Sequence, residues 1–366
     1  MKILITGAAG QIGSGLAKRL VDKHELTLVD NLRNGYAEHL KDDNDEFIAP
    51  FMNIDISTSQ LFTHCGSDYD TYDVIIHLAA ISSLPDCEIN PLECLHCNVS
   101  ATANVLDFAR KMNVPHVIFA STSAIYENND VDVFTEDLEV SPRLYYSLSK
   151  KMCEELIHSY REHYGSKVTI LRFFNVFGPD GDQTRPNPPL LNFVYRELSK
   201  GKAPVLSGDG EQVRDFICID DVVSMLDLCL EKKPNDVFNV CTGVAVSVNQ
   251  ISKWVAEAMG KEDLGLDHKP AGELWDSYPE LFQGEYGLDK NIVGKEDLGL
   301  DHKPAGELWD HYPDLFAGEY GLDKNIVGKE TTRYSKGSYQ KAKDLLGWEP
   351  NTDIESEVKR VTLQIK

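Results

Sequence analysis

Short apolar runs, each closed by polar residues or glycine, recur along the first half of the chain. They are KILIT (2–6), LTLVD (26–30), FIAPF (47–51), VIIHLAA (74–80), HVIFAST (116–122) and VTILRFF (168–174). Each has the length of a strand and is apolar nearly throughout, as strands covered on both faces are. Between most of them lie longer amphipathic stretches with helical spacing, such as NVSATANVLDFARKM (98–112). Strand and helix in alternation predict an α/β chain built on a doubly wound parallel sheet.

The turn after the first predicted strand is TGAAGQIG, with Gly7, Gly10 and Gly13 leading into a predicted helix. Glycines there let the backbone turn tightly and approach a pyrophosphate, whose charge the helix N-terminus stabilises. Alone, the turn is equally the mark of a tight strand-to-helix connection. Its context adds weight. The second predicted strand ends at Asp30, 17 residues after Gly13. An acid there can bind the adenosine ribose hydroxyls and would repel a ribose phosphate, which favours NAD over NADP.

A second constellation follows. Thr122 closes the run HVIFAST, flanked by Ser121 and Ser123 as alternative hydroxyls, and YYSLSK supplies Tyr146 and Lys150. Four residues apart on a helix, Tyr146 and Lys150 share one face, whereas Tyr145 lacks that spacing. A tyrosine titrates near ~10 and is a poor base at neutral pH. A neighbouring ammonium and a positive nicotinamide would favour its phenolate, and a Thr hydroxyl could hold the reacting oxygen. Such a pair also occurs by chance on helix surfaces. Following the glycine turn, Asp30 and a Ser/Thr strand end, it reads as catalytic.

Composition narrows the setting. Apolar residues make up 42% and charged residues 26%, as in an ordinary globular chain. The formal net charge is −23. So acidic a surface is a poor partner for nucleic acid or an anionic membrane, and neither is expected. The start MKILITGAAG lacks a long apolar stretch before its first strand, and no apolar run is long enough to span a bilayer, so a cytoplasmic location is expected. Eight scattered cysteines suggest reduced thiols, and CLHC (94–97) has no second CxxC, so no metal is expected.

The second half holds a near-perfect echo. Residues 261–294 recur as 295–328 with only Ser277/His311, Glu280/Asp314 and Gln283/Ala317 differing. A solenoid needs about three or more copies, so two mark a local tandem duplication inside a larger fold. The copies contribute −10 of the charge, and the rest of the chain is still acidic at −13. Pro270 and Pro279 sit where two short helices could start, so a copy reads as a small helical excursion rather than a linker.

Taken together, GxxGxxG, Asp30, NIDI around Asp55 and Ile56, HLAA (77–80), Thr122 and YYSLSK resemble the extended short-chain dehydrogenase/reductase superfamily, in its NAD-dependent nucleotide-sugar epimerase/dehydratase branch. The resemblance covers nearly the whole chain. It implies a Rossmann-type NAD-binding domain over 1–174 and a smaller C-terminal α/β substrate lobe over 175–366, interleaved with the first and carrying the duplication. It places Thr122, Tyr146 and Lys150 on the family's catalytic residues. It puts Gly7, Gly10, Gln11, Ile12, Gly13, Asp30, Asn31, Asp55, Ile56, Leu78, Ala79, Ala80, Asn98, Tyr146, Lys150 and Phe174 at the cofactor. His77 reads as structural.

On the substrate side the resemblance implies Ser82, Ser83, Thr122 and Asn175, with Arg214 in GDGEQVRDFICIDD and Arg333 in TTRYSKGSYQKAKDLLGWEP on phosphates. Arg214 could instead pair with Asp215 or Asp220. Ser338 stands where the family often has Asp. The 4,6-dehydratases carry an Asp and a Glu after the Thr, and UDP-sugar decarboxylases usually keep the Glu; here Ser123 and Ala124 follow. That resembles the 4-epimerases, with a UDP-sugar as expected substrate and a homodimer as expected assembly. A dehydratase or decarboxylase is the alternative enzyme, and a non-catalytic NAD-sensing protein the alternative of another class.

Overall fold

The structure is a computed structural model that describes all residues except 59, 67–70, 128, 130, 182–187, 270–333 and 366. The strands, in chain order, are β1 Lys2–Thr6, β2 Glu25–Asp30, β3 Phe51–Asn53, β4 Val74–His77, β5 Val117–Thr122, β6 Val168–Phe173, β7 Asn175–Phe177, β8 Val205–Ser207, β9 Val213–Cys218, β10 Val237–Val240, β11 Ala245–Ser247, β12 Asp267–Lys269 and β13 Tyr334–Ser335. The helices are α1 Gln11–Leu20, α2 Gln60–Cys65, α3 Leu84–Ile89, α4 Pro91–Leu95, α5 Ala101–Lys111, α6 Tyr145–Tyr164, α7 Leu190–Ser199, α8 Ile219–Lys232 and α9 Val248–Met259, followed by Gln340–Leu346 and Ile354–Thr362 near the C-terminus.

Seven strands form one parallel sheet in the order β10-β6-β5-β4-β1-β2-β3. Side chains alternate between its faces, as the pleat requires. Ile3, Ile5, Ile76 and Ile118 pack with Leu16 and Leu20 of α1 and Val222 and Leu226 of α8. Leu4, Ile75, Val117 and Phe119 pack with Val105 and Phe108 of α5 and Cys153 and Ile157 of α6. This is the doubly wound, Rossmann-type architecture.

β10 lies beyond residue 174 yet completes this sheet beside β6, so the two parts of the chain are interwoven. β6 runs into β7 through Phe174 alone, and β7 pairs not with the large sheet but with β9. β9 also pairs with β11 and β13, forming the second sheet at the end of the first. Residues 261–269, the start of the first repeat copy, are described. Lys261 Nζ donates to the Leu198 carbonyl at 2.6 Å, and β12 pairs in parallel with β8. The rest of both copies, with the helix starts expected at Pro270 and Pro279, lies outside the described residues.

One predicted strand is displaced. The run 47–51 is not a strand; the third strand begins at Phe51 and runs to Asn53. Pro50 has no N–H to give a ladder and serves only as acceptor, from Leu28 N at 2.8 Å. Ile48 N turns back to the Leu40 carbonyl at 2.9 Å.

Candidate active site

The carboxyl ends of β1, β2, β4 and β5 converge with the N-termini of α1 and α6. At the end of β1, Gly7 has φ +73°, and a Cβ there would lie 2.5 Å from Ala79 N. A Cβ on Gly13 would lie 2.2 Å from the Gly7 carbonyl oxygen. These two positions therefore need glycine for the turn itself. At Gly10 the protein leaves more room, the nearest atom being Gly7 O at 3.4 Å. α1 begins there with no side-chain cap on its N-terminus. The first N–H groups of a helix lack intrahelical partners. Gln11 Nε2 is a buried donor with no hydrogen-bond partner. An open cradle and uncapped helix donors fit the pyrophosphate of a dinucleotide such as NAD.

Asp30 closes β2 beside this cradle. Its Oδ2 accepts from Ala9 N at 3.0 Å and its Oδ1 from Leu32 N at 2.7 Å. Burial raises its pKa, and these backbone donors oppose the rise. Asp30 therefore already braces the glycine turn, while each oxygen keeps a further lone pair for a ribose hydroxyl. Asn31 Oδ1 accepts from Arg33 N, and Asp55 Oδ1 from the N–H and hydroxyl of Ser57. Ile56 is buried.

Thr122 and Tyr146 meet. The Thr122 side chain hydrogen-bonds the phenol, which packs against Ile81, Cys87 and Cys94. Burial pushes the Tyr146 pKa up to about 12; the Thr122 bond opposes this, and the thiols of Cys87, Cys94 and Cys153 add to it. Thr122 Oγ1 also accepts from Ala124 N at 3.1 Å, capping the short turn Ser123–Tyr126. Lys150 is buried one turn along α6. Its Nζ donates to the Ala120 carbonyl at 2.8 Å and sits 4.8 Å from the Phe119 ring centre. Burial lowers its pKa. Ser121 is not an equivalent hydroxyl, because its Oγ donates to Glu154 Oε1 at 2.5 Å on the far side of β5.

Several expected ligand contacts are engaged within the protein. Asn98 Oδ1 accepts from Ile81 N at 2.8 Å and its Nδ2 donates to Ser149 Oγ at 2.9 Å, so it ties the loop after β4 to α6. Ser83 caps α3, whereas Ser82 is exposed. The Phe174 ring is buried with Ile125, Tyr126, Phe134 and Cys241. Asn175 Nδ2 donates to the Asp215 carbonyl at 2.9 Å. Leu78 and Ala79 face the glycine turn.

Arg214 Nη1 donates to the Val213 carbonyl at 2.8 Å. Asp215 instead accepts from Thr242, Gly243 N and Gly337 N, and Asp220 pairs with Arg360 at 2.5 Å. Arg333 lies outside the described residues. His77 is structural, its ring held by Thr6 at 2.7 Å and Thr102 at 3.1 Å, and burial lowers its pKa to about 3. Cys94 is buried in α4, and all eight cysteines are free. No helix among the described residues is long and apolar enough to cross a membrane.

Sequence reasoning passed over the polar layer behind β5. Arg172 gives Glu154 two bonds, at 3.1 and 2.7 Å, and Tyr126 OH a third at 2.7 Å. Tyr126 OH donates onward to Asn239 Oδ1 at 2.9 Å. A signal was available. Arg172 is the one charged residue in the strand VTILRF, and a buried guanidinium needs a partner. Glu154 follows Lys150 by one helical turn, on the same face.

A family model described as "NAD dependent epimerase/dehydratase family" matches residues 3–241. Among similar proteins is a putative UDP-glucose 4-epimerase of Methanocaldococcus jannaschii, 30% identical over 286 residues, 77% of this chain and 91% of that one. Another is a UDP-glucuronate 4-epimerase of Thermodesulfobacterium geofontis, 31% identical, covering 71% of this chain and 81% of that one. The crystal structure of a UDP-glucose 4-epimerase with UDP-glucose from Thermotoga maritima superposes with a TM-score of 0.77 at 28% identity, covering 100% of this chain and 98% of that one.

Proposed function

The chain belongs to the NAD dependent epimerase/dehydratase family, and from that premise we propose that it is a nucleotide-sugar 4-epimerase acting on a UDP-sugar. The observation that carries this reading is what surrounds the Thr122–Tyr146 pair. Ser123 and Ala124 follow Thr122 in a closed turn, so no acid and base stand there to eliminate water. The names of the relatives support the UDP-sugar.

NAD seated on the glycine cradle would supply a hydride acceptor, and later the donor, at the sugar C4. The protein does the rest. Tyr146, as phenolate, takes the proton of the 4-hydroxyl and gives it back after the ring has turned. Thr122 holds the same oxygen, Lys150 stabilises the phenolate and would bind a ribose hydroxyl, and Asp30 would hold the adenosine ribose. Asn175 and Arg214, with Arg333, would hold the diphosphate, and Ser82 and Ser83 would line the sugar. Leu92 on α4 and Met152 on α6, two helices that pack together, are both exposed, which supports a homodimer through this face.

The test is incubation of the purified protein with a panel of nucleotide sugars, with products identified by NMR and absorbance at 340 nm followed throughout. The 4-epimer with no net NADH is expected. A 6-deoxy-4-keto product would make it a dehydratase, and stoichiometric NADH a dehydrogenase.

A further inference from the structure

α6 carries both Tyr146 and Lys150, yet its N-terminus has nothing of its own to hold it. Its N-cap residue is Leu144, with no side-chain cap, and its first turn has no acid. Uncapped helix donors, and a positive helix end, call for an acceptor of negative charge. The structure supplies two from elsewhere. Glu127 Oε1 accepts from the N–H groups of Arg143 and of Leu144, the latter at 2.9 Å, and its Oε2 accepts from Ser147 Oγ at 2.9 Å. Glu88, on α3, accepts from Tyr145 N at 2.7 Å. The donors at 143, 144, 145 and 147 bracket Tyr146 on both sides.

Glu127 is also fixed to the other half of the catalytic pair. It follows directly on the turn Ser123–Tyr126, which Thr122 caps with its own hydroxyl. Its N–H donates to the Ala124 carbonyl at 3.1 Å. One rigid piece of chain therefore carries Thr122 at its start and, at its end, the carboxylate that grips the start of α6. The spacing between Thr122 and Tyr146 is set by this bracket rather than by α6 alone. With three donors on its two oxygens, Glu127 is committed to the helix and is not placed as an acid or base.

We propose that Glu127 is a positioning residue for the reaction, an N-terminal clamp supplied to the catalytic helix by the Thr122 turn, with Glu88 as its second jaw. This rests on the 4-epimerase reading given above. A misplacement of about 1 Å between reacting groups costs about 10²-fold in rate.

The experiment compares Glu127→Ala and Glu127→Gln in the full chain. Glutamine keeps an acceptor for the two backbone donors, and its amide can donate to Ser147 Oγ. Glu127→Ala is expected to lose about 10²-fold in kcat with KM unchanged. Glu127→Gln should stay within about threefold, a difference of well under one decade in transition-state stabilisation. Amide exchange across residues 143–147 should accelerate in the alanine variant and not in the glutamine variant. Alanine activity within threefold of wild type, or equal losses in both variants, overturns the proposal.

If Glu127→Ala does not fold, Ser147→Ala removes one bond of the clamp, and its kcat must then fall with KM unchanged. Exchange needs no substrate. A wild type that epimerises nothing defeats the 4-epimerase reading, while unchanged exchange in a folded Glu127→Ala defeats the clamp.

Discussion

Ser121 Oγ donates to Glu154 Oε1 at 2.5 Å, while the next residue, Thr122, turns its hydroxyl to the Tyr146 phenol. Adjacent residues of a strand face opposite ways, so only one of the two hydroxyls can reach the substrate side. Thr122→Ala should therefore lose about 10²-fold in kcat. Ser121→Ala should keep near-normal turnover and lose about 1 kcal/mol of stability. Steady-state kinetics of the pair check this, and equal losses in both would mean that the wrong hydroxyl has been assigned.

Tyr146 gives a pH dependence with a definite sign. Burial holds its pKa up at about 12, and the Thr122 bond favours the phenolate and pulls it down. The phenolate is the working base, so kcat should rise with pH across the neutral range. Removing the Thr122 hydroxyl raises the phenol pKa further. Both pKa values then lie above pH 6 to 10, so wild type and Thr122→Ala should gain kcat in parallel across that range, with a constant deficit that shrinks only as pH nears about 12. A wild-type kcat that stays flat from pH 6 to 10 would show that phenolate formation does not govern turnover. Tyr146→Phe should abolish turnover and still bind NAD, measured by fluorescence titration.

The alternation of apolar runs and helices made the large sheet legible, because a strand buried on both faces has no other way to look. The glycine turn and the Tyr146–Lys150 spacing were legible for the same reason: each is a local pattern with a local cause. The third strand was misplaced because Ile48 and Phe51 read alike, while Pro50 between them cannot donate to a ladder. The polar layer was invisible because it is a tertiary assembly. Glu154, Arg172 and Tyr126 come from three separate elements, and neither Glu127 nor Glu88 carries a motif at the start of α6. Asp30 carries the pattern of a ligand group, and its bond to Ala9 N adds a second role that no local pattern announces, shaping the turn.

The Glu154–Arg172 pair is nearly fully buried, with side-chain exposures of 1% and 6%. Breaking such a pair on one side leaves an uncompensated charge and costs about 3–5 kcal/mol. Arg172→Met should lower stability by that amount in urea unfolding. Glu154→Leu combined with Arg172→Met should recover much of it, since the charge left behind is then gone. A double variant as unstable as the sum of the singles would show that the pair is not coupled.

Asp30→Ala should do two things at once. It removes the like charge that would face a ribose phosphate, so preference for NAD over NADP should narrow. It also removes the acceptor for Ala9 N and Leu32 N, so NAD itself should bind more weakly. Calorimetric titration with both nucleotides separates these effects. Equal binding of NADP and NAD by the wild type would refute the assigned role of Asp30.

The duplication allows a clean deletion. The first nine residues of copy one are built into the fold, through Lys261 on the Leu198 carbonyl and β12 on β8. Copy two begins with the same nine residues, so the anchoring sequence is supplied twice. No proposed catalytic residue lies in either copy. Removing Lys295 to Gly328 joins Gly294 to Lys329, the same Gly-Lys junction at which copy two now ends. β12 and β13 both remain, and shortening the connection between two anchored strands changes closure entropy by only about 1 kcal/mol. The shortened protein should therefore fold, bind NAD and turn over within a few-fold of the full chain. Thermal melting and the NMR assay decide the matter. Loss of folding would show that copy two holds the fold together, and loss of turnover in a folded, NAD-binding protein would place copy two at the substrate.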